Sequence, residues 1–234
     1  MHPAIIIPVY NHEQRIAEVI QQALELDLPV FVVNDGSIDA TPEILAATGG
    51  ITVLHHPVNR GKGAALQTGF AAASEKGCDW AVTLDGDGQH RPADAMVLLG
   101  AVADGRRCIV VGRRQGMAES EHVPWTSRFG RGFSNFWVRV SGGPTIHDSQ
   151  SGFRLYPLPE VMELAVRARR YQFEVEVLVR AEQSGLATIE APVSVVYQPK
   201  GERVSHFRPW VDFGRNSVTF SRLIFARFFR MFRP

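Results

Sequence analysis

Short apolar runs alternate with amphipathic stretches over the first half of the chain. The run AIIIPV, residues 4–9, is uninterrupted and rich in isoleucine, which predicts a strand buried on both faces. Ile16, Val19 and Ile20 then recur at helical spacing. The same alternation predicts strands at 30–33, 51–54, 80–84 and 108–111, and helices at 41–46, 63–75 and 92–102. This order is typical of βαβ units, so we predict an α/β fold with a mostly parallel sheet flanked by helices.

Beyond residue 113 the pattern is less regular, and the chain up to residue 150 is rich in Gly, Ser and Arg. Its apolar positions still predict a helix over 128–140, a second helix over 160–184 and a strand over 188–196. The sequence contains no internal repeat and no low-complexity linker. We therefore assign residues 1–202 to one α/β domain.

The composition limits the class of protein and its location. Of the 234 residues, 45% are hydrophobic and 21% are charged, which is typical of a globular chain with one main domain. Cys78 and Cys108 are the only cysteines, which excludes a disulfide framework and favours a reducing compartment. We find no apolar run of about 18 residues and no basic leader, so we expect neither a transmembrane helix nor a signal peptide.

The formal net charge of +1 conceals a division along the chain. Residues 203–234 hold seven arginines, one aspartate and seven of the 14 phenylalanines, so they carry +6 while the rest carries −5. We predict that this segment is helical after Pro209 and lies on an anionic membrane surface. The alternative is a terminal helix that packs its aromatic face on the domain. The neutral total argues against a nucleic-acid-binding protein.

Polar side chains follow each of the first four predicted strands. They read Tyr10-Asn11, Asn34-Asp35-Gly36-Ser37, Asn59-Arg60-Gly61-Lys62-Gly63 and Asp85-Gly86-Asp87-Gly88-Gln89. The carboxyl ends of parallel strands meet at one edge of a sheet, where ligands of such folds bind. We therefore predict a ligand site at this edge.

Asp85 and Asp87 stand two residues apart with a glycine between them, so both carboxylates can reach one hard cation. Gln89 can add a neutral oxygen, and such ligands suit Mg²⁺ or Mn²⁺. The alternative is that Asp-Gly-Asp-Gly forms only a turn. Lys62 either meets a phosphate at a helix start or is a solvated residue there. Asp35 either accepts hydrogen bonds from a nucleoside or caps the helix near residue 41.

Six segments carry a family resemblance, and they are IIIPVYN, VVNDGSIDAT, NRGKGAAL, TLDGDGQH, DSQSGFRLY and FEVEVL. Together they resemble family 2 glycosyltransferases with the GT-A (Rossmann-like) fold, in particular the dolichyl/polyprenyl-phosphate sugar transferase branch. The resemblance implies transfer of a sugar from a nucleotide-diphosphate sugar, with inversion at the anomeric carbon and assistance from Mg²⁺ or Mn²⁺. It implies a polyprenyl-phosphate or related lipid acceptor, and a cytoplasmic enzyme bound peripherally to the inner face of the membrane.

With the strand-end pattern, the resemblance assigns roles to individual residues. The donor nucleotide is expected to contact Pro8, Tyr10, Asn11, Asp35, Lys62 and Asp85. The metal ligands are expected to be Asp85, Asp87 and Gln89, and the catalytic residues Asp87, Asp148 and Arg154. Diphosphate or acceptor contacts are expected from Arg113, Arg128, Arg131, His206 and Arg208. Arg154 lies in the SGFR element, where it either binds acceptor phosphate or pairs with Asp148 or with Glu176 of the F-x-x-E-x-L helix.

Three positions depart from the family pattern. Asn34 stands where many members have Asp, His12 where the branch often has Glu, and His206 where it has Lys. These differences point to a different nucleobase or sugar in the donor, or to an acceptor other than dolichyl phosphate. The Q-x-x-R-W motif of processive polysaccharide synthases is absent, which argues against a polymerase.

The nature of the acceptor decides whether a base is needed. A phosphate monoester is already a nucleophile, whereas a hydroxyl needs a general base, for which Asp148 and then Glu174 are the candidates. Transfer to a hydroxyl of a saccharide or glycolipid is therefore the first alternative. A sugar nucleotidylyltransferase and a non-catalytic nucleotide-binding module are the others.

Overall fold

The structure is a computed structural model that describes residues 1–115, 125–195 and 209–231, with the backbone alone at 125–129, 209–213 and 229–231. The strands are β1 (Pro3–Val9), β2 (Val30–Asn34), β3 (Ile51–His55), β4 (Trp80–Thr83), β5 (Ile109–Arg114), β6 (Arg154–Pro157) and β7 (Thr188–Val193). The helices are α1 (Ile16–Leu24), α2 (Thr41–Ala47), α3 (Lys62–Glu75), α4 (Ala95–Gly100), α5 (Trp125–Val140), α6 (Glu160–Glu163), α7 (Phe173–Ser184) and α8 (Pro209–Met231). A 3-10 turn, Pro92–Asp94, precedes α4.

The described strands form one sheet in the order β3-β2-β1-β4-β6-β5-β7. Strands β1 to β4 are mutually parallel where they pair, and β7 is parallel to β5. Strand β6 lies between β4 and β5 and is antiparallel to both. The predicted mostly parallel α/β sheet with flanking helices is therefore confirmed.

The core lies on both faces of the sheet because β1 is buried along almost its whole length. Ile5 and Ile7 face the cluster that contains the buried side of α1, whereas Ile6 faces the cluster that contains α3. Gly69 of α3 lets this helix approach closely, since a Cβ there would collide with the side chain of Ile6. Two covered faces explain why β1 reads as a continuous apolar run.

Two predictions of secondary structure were wrong. Strand β6 was not predicted, because it has only four residues and begins with an arginine. The single helix predicted over 160–184 is divided into α6 and α7, with Ala165 between them at a positive φ of 49°. A non-glycine residue rarely takes this conformation within a helix. The interruption creates a loop, residues 164–172, between α6 and α7.

Helix α8 lies in the segment where a helix after Pro209 was predicted, and it presents two kinds of apolar side chain. Phe220 and Leu223 are buried in the core, and the ring of Phe220 stacks on Trp137 of α5. Phe225 and Phe228 are 64% and 55% exposed. One side of α8 therefore packs on the domain while another faces outward. None of the helices in the described ranges has the length and apolar content that a membrane span requires.

Candidate active site

The polar segments after the first four strands lie at one edge of the sheet, as predicted. Val9 at the end of β1 is in register with Asn34 at the end of β2, and Asn34 is in register with His55 at the end of β3. Ile6 of β1 is in register with Thr83, the last residue of β4. The loops that follow these residues therefore share one rim, and α3 begins there.

Asn11 joins the loop after β1 to the loop after β2. Its φ is positive, at 52°, and its Oδ1 accepts a hydrogen bond of 2.9 Å from the Ile38 amide. Its own amide donates to Ser37 Oγ at 3.0 Å. Pro8 is buried and Tyr10 is half-buried beside this junction. These bonds shape the region in which donor-nucleotide contacts were predicted.

Asp35 is 2% exposed, and its carboxylate accepts hydrogen bonds from the chain itself. Oδ1 accepts from the Arg60 amide at 2.9 Å and lies 2.6 Å from His56 Nδ1, while Oδ2 accepts from the Gly61 amide at 2.7 Å. His56 Nε2 in turn lies 3.0 Å from Thr68 Oγ1 of α3. Asp35 therefore fixes the loop that leads into α3, whatever contact it also makes with a nucleoside.

The alternative role for Asp35, capping the second helix, is wrong. The Thr41 amide at the start of α2 donates instead to Asp39 Oδ1, at 3.0 Å. A carboxylate two residues before a helix start is a common partner for such an amide. This contact leaves Asp35 free of the helix and directed at the loop before α3.

Lys62, the first residue of α3, lies between two carboxylates. Its Nζ is 2.5 Å from Asp85 Oδ1 and 2.5 Å from Glu174 Oε1. Burial lowers the pKa of Lys62, but the attraction of the two carboxylates outweighs it, so the pKa lies above its usual range. Burial raises the pKa of Asp85, yet Lys62 reverses this and holds that pKa below its usual range. Lys62 is thus a half-buried, ion-paired cation inside the site and not a solvated residue at a helix start.

Gly152 of the SGFR element lies directly against this cluster. A Cβ at this position would lie 2.5 Å from Asp85 Oδ2 and 2.9 Å from Glu174 Oε1, and it would also meet Lys62 Nζ. Thr83 Oγ1 donates to the carbonyl of Gly152 at 2.7 Å, which holds the two segments together. A side chain at this position would displace one of these three groups. Gly152 lies here because it comes just before the antiparallel strand β6.

The segment after Asp85 forms a turn whose side chains suit a hard cation. Asp87 Oδ1 accepts a hydrogen bond of 3.0 Å from the Gln89 amide, and Gly88 has a positive φ of 71°. Two carboxylates and one amide fit Mg²⁺ or Mn²⁺, which take few protein ligands and complete their shell with water and phosphate. Within the described ranges no group of three His, Cys, Asp or Glu could hold a metal by itself. A cation at this turn would thus depend on oxygens from a bound diphosphate or from water.

His90 ends the turn and is buried against Phe153, with ring centroids 5.1 Å apart. Burial lowers the pKa of His90 to about 4, so the ring is neutral at pH 7. Its Nδ1 is buried without a hydrogen-bond partner in the described structure. Sequence reasoning did not select this residue, although its position directly after the acidic turn was a usable signal.

Asp148 is fully buried, and an arginine holds both of its oxygens. Arg114 donates from Nε to Oδ2 at 2.7 Å and from Nη2 to Oδ1 at 2.8 Å. The Asp148 amide donates to Glu190 Oε1 at 3.0 Å, and Glu190 also lies 2.7 Å from His147 Nδ1. Both carboxylate oxygens of Asp148 are therefore occupied by one planar guanidinium. The predicted base candidate is therefore part of an ion-paired network.

Arg154 is fully buried and pairs with neither of the acids proposed for it. Its guanidinium donates to the backbone carbonyls of Ser151, Ser149 and Glu174 at 2.7, 2.8 and 2.7 Å. The expected pairing with Asp148 or Glu176 is wrong, because both carboxylates are taken by other arginines. Arg154 instead ties the SGFR loop to the start of α7. Its position inside the sheet, between β4 and β5, explains these contacts.

Glu176 connects three parts of the fold. Its oxygens accept from Arg180 Nε at 2.6 Å, from Arg222 Nη2 of α8 at 2.5 Å and from the Arg167 and Ala168 amides at 3.2 and 3.0 Å. The residue is fully buried. It therefore fixes α8 and the loop before α7 on the domain. Glu174, two residues earlier on the same helix, contacts Lys62 instead.

The structure describes the side chains of two of the five residues that were predicted to contact phosphate. Arg113 is exposed near the end of β5, and Arg131 is half-buried on α5. The side chain of Arg128 and the residues His206 and Arg208 lie outside the described residues.

The site residues that sequence reasoning undervalued are Glu174 and Arg114. Glu174 was only a second base candidate, yet it closes the Lys62 cluster. Its signal was the run FEVEVLV, in which two acids interrupt a continuous apolar stretch of helix. Acids in such a stretch are buried, and a buried acid needs a cation. Arg114 carried no signal beyond its place beside Arg113.

The chain belongs to glycosyl transferase family 2, whose model matches residues 4–160. The predicted family is therefore confirmed, and the mixed sheet is GT-A-like. Membership of this family makes the chain an enzyme that transfers a glycosyl group. A sugar nucleotidylyltransferase and a non-catalytic module lose their support.

Curated relatives agree with the branch of the family. The chain is 31% identical over 213 residues to the UDP-N-acetylglucosamine--dolichyl-phosphate N-acetylglucosaminyltransferase of Methanococcus voltae, covering 82% of this chain and 85% of the relative. It is 28% identical over 208 residues to the polyprenol monophosphomannose synthase of Mycolicibacterium smegmatis, covering 84% and 78%. The homologues are thus sugar transferases named for dolichyl or polyprenyl carriers.

A solved structure supports the fold alone. S. aureus TarS, residues 1–349 in complex with UDP, is similar with a TM-score of 0.55 at 14% identity. The alignment covers 96% of this chain and 64% of the TarS chain, so the chain spans less than two thirds of that structure.

Proposed function

We propose that this glycosyltransferase moves a sugar from a nucleotide-diphosphate sugar to a polyprenyl phosphate or related lipid, with inversion at the anomeric carbon. The observation that carries the proposal is the partly buried cluster of Lys62, Asp85 and Glu174 beside the acidic turn, at the strand ends where ligands of such sheets bind. Two relatives are named for a dolichyl-phosphate or polyprenol acceptor, and one of them is named for a UDP-sugar donor, which supports both halves of the proposed reaction.

The donor diphosphate would lie against the turn that holds Asp85, Asp87 and Gln89. These three residues would bind Mg²⁺ or Mn²⁺, which when present neutralises the charge that develops on the diphosphate as the glycosidic bond breaks. Lys62 keeps Asp85 ionised, because it holds the pKa of that carboxyl low. Asp85 therefore presents a negative oxygen to the turn at neutral pH.

The nucleoside would lie along the loops after β1 and β2. Pro8, Tyr10 and Asn11 line the first loop, and Asp35 stands at the end of the second. Because Asp35 is held by the Arg60 and Gly61 amides, it keeps one fixed orientation. A preorganised acceptor costs little entropy when the ligand binds.

A phosphate acceptor agrees with the electrostatics of the site better than a hydroxyl acceptor does. A hydroxyl needs a carboxylate that is free to take its proton. Asp148 is clamped by Arg114, and Glu174 is paired with Lys62. Both base candidates are thus already engaged by cations, so taking a proton from a hydroxyl would compete with an existing ion pair. A lipid phosphate is already ionised and needs neither.

Helix α8 would hold the enzyme on the inner face of the membrane as a peripheral protein. Phe225 and Phe228 are exposed, and Arg222 and Arg227 lie on the exposed part of the same helix. Exposed aromatics with interleaved arginines suit the boundary between headgroups and acyl chains of anionic lipids. The proposed division is residues 1–202 for catalysis and 203–234 for this contact.

The test is a transfer assay with Mn²⁺ that compares polyprenyl phosphate with polyprenyl alcohol, each with UDP-, GDP- and dTDP-sugars. We expect product only with the phosphate, and an increase in melting temperature with the nucleotide that the enzyme uses. Product with the alcohol alone would replace the proposal by transfer to a hydroxyl. Release of pyrophosphate from a nucleoside triphosphate and a sugar phosphate would indicate a nucleotidylyltransferase.

A further inference from the structure

Two loops that are far apart in the sequence bring four exposed arginines together. Arg167, Arg169 and Arg170 lie in the loop before α7, and Arg60 lies in the loop before α3. We call these four residues the arginine ledge. Their proximity follows from the backbone: a Cβ at Gly61 would lie 2.6 Å from the carbonyl oxygen of Arg169 and 2.5 Å from Cγ of Arg170.

Direct hydrogen bonds hold the two loops in contact. The Ala64 amide of α3 donates to the carbonyl of Arg169 at 2.9 Å, and Arg170 Nη1 donates to Asn59 Oδ1 at 3.2 Å. A Cβ at Gly63 would lie 2.8 Å from the carbonyl of Ala168, so this glycine also permits the close approach. The arginine ledge is therefore a fixed surface built on packed backbone.

The ledge has no carboxylate partner among the described residues. The arginines that form ion pairs in the described ranges are others, such as Arg107, Arg114 and Arg180. Glu163 and Glu174 flank this loop in the chain, and in the described structure neither pairs with a ledge arginine, since Glu174 binds Lys62. Glu176, further along α7, is fully buried and occupied by Arg180 and Arg222. Unpaired like charges held close together repel one another and attract anions.

The ledge adjoins the helix proposed to contact the membrane. Glu176 accepts from the Arg167 and Ala168 amides and from Arg222 of α8, so one carboxylate anchors both the loop and the helix. The guanidinium of Arg222 is itself 40% exposed. Exposed arginines therefore lie in succession from Arg222 on α8, through Arg167 in the loop before α7, towards the start of α3.

We propose that the arginine ledge binds the phosphate headgroups of anionic lipids and forms a second membrane contact beside α8. This inference rests on the proposed function, because it takes the membrane as the location of the acceptor. Two contacts, one on the helix and one next to the strand ends, fix the tilt of the domain as well as its attachment. The ledge would hold the rim of the active site against the lipid surface.

The experiment measures partition of the full chain onto vesicles of phosphatidylcholine alone and of equal parts phosphatidylcholine and phosphatidylglycerol. The variant Arg169→Gln/Arg170→Gln keeps the methylene groups that pack over Gly61 and removes two charges. Each arginine near an anionic surface is worth about a fivefold change in partition, so we expect about 30-fold weaker binding to the anionic vesicles. Arg60→Gln, on the other loop, is expected to weaken binding about fivefold.

The matched control is Lys76→Gln/Arg106→Gln. Both residues are exposed, and they lie after α3 and before β5, at the opposite edge of the sheet from the ledge. The control removes the same charge and is expected to bind anionic vesicles like the wild type. Thermal unfolding of each variant establishes that it is folded.

Transfer to a short-chain, water-soluble polyprenyl phosphate separates a lipid contact from a substrate contact. We expect the ledge variants to keep wild-type turnover and wild-type KM on this acceptor. Wild-type vesicle binding by the ledge variants, or a raised KM with the soluble acceptor, would overturn the proposal. If the wild-type chain itself ignores anionic vesicles, the membrane part of the proposed function fails, and this inference fails with it.

Discussion

The Nζ atom of Lys62 lies 2.5 Å from Oδ1 of Asp85, although the two residues belong to different strand–helix units. The lysine begins α3 and the aspartate follows β4, and β1 lies between β2 and β4 in the sheet. The same Nζ reaches Glu174 of α7. The side chain of Lys62 therefore connects the acidic turn after β4 to helix α7 in the second half of the chain. Its removal would expose two carboxylates to a poorly solvated environment.

Lys62→Met tests this cluster through stability. Removing one partner of a partly buried ion pair leaves an uncompensated charge that solvent screens only in part, and costs about 1–3 kcal/mol of unfolding free energy. We expect a loss of this size in urea unfolding, together with loss of transfer. The control is Lys76→Met, an exposed residue just after the other end of α3, where the change should stay within about 0.5 kcal/mol. Equal stability of the two variants would show that Asp85 and Glu174 do not need the lysine.

Gly152→Ala tests the close approach of the SGFR element. The new methyl group would displace Asp85, Glu174 or Lys62, since a Cβ would lie 2.5 Å from Asp85 Oδ2. A displacement of about 1 Å at reacting groups can cost roughly 100-fold in rate, and overpacking costs about 1–3 kcal/mol. Gly132→Ala on α5 meets nothing within 4 Å and should leave both rate and stability nearly unchanged. Wild-type kcat in Gly152→Ala would contradict this account of the site.

The first half of the fold could be predicted from the sequence because three of its four strands, β1, β2 and β4, are buried on both faces. A fully buried strand such as β1 reads as an uninterrupted apolar run, and the polar residues that end each strand mark the rim. The placement of Asp35, Asp85 and Asp87 at one edge followed from that alternation. Strand β6 does not follow this pattern, because its first residue, Arg154, is charged and yet fully buried.

The partners of the buried charges could not be predicted, because pairing depends on contacts between distant segments. Lys62 and Glu174 are 112 positions apart, and Arg114 and Asp148 are 34 apart. Local pattern assigns charged residues to the surface, and only tertiary contacts show which of them are buried in pairs. This is why Arg154 was expected to pair with Asp148 or Glu176 and instead holds backbone carbonyls.

His90→Asn tests the pH dependence of stability. The folded state holds the pKa of His90 at about 4 against an ordinary value of 6.5, so the unfolded chain takes up a proton first as the pH falls. Folding is therefore opposed increasingly between pH 6.5 and 4, by roughly 3 kcal/mol at pH 4. In urea unfolding without divalent metal, we expect His90→Asn to lose less stability than the wild type over this range. A control at the exposed His2 should behave like the wild type, and an unchanged slope in His90→Asn would contradict the buried neutral ring.

Asp87→Ala tests the acidic turn directly. Asp87 Oδ1 accepts a hydrogen bond from the Gln89 amide within the turn, and we expect the fold to stay intact when this carboxylate is removed. We expect transfer to fall below detection while the thermal unfolding temperature of the free protein stays close to that of the wild type. The rise in unfolding temperature that Mn²⁺ and a nucleotide diphosphate produce together should also disappear, because the cation loses a carboxylate ligand. Asp104→Ala is the matched control, since it removes an exposed carboxylate in the turn before β5, away from the strand-end rim. Full activity in Asp87→Ala, or a metal-dependent shift equal to that of the control, would exclude this turn as the place where the diphosphate is bound.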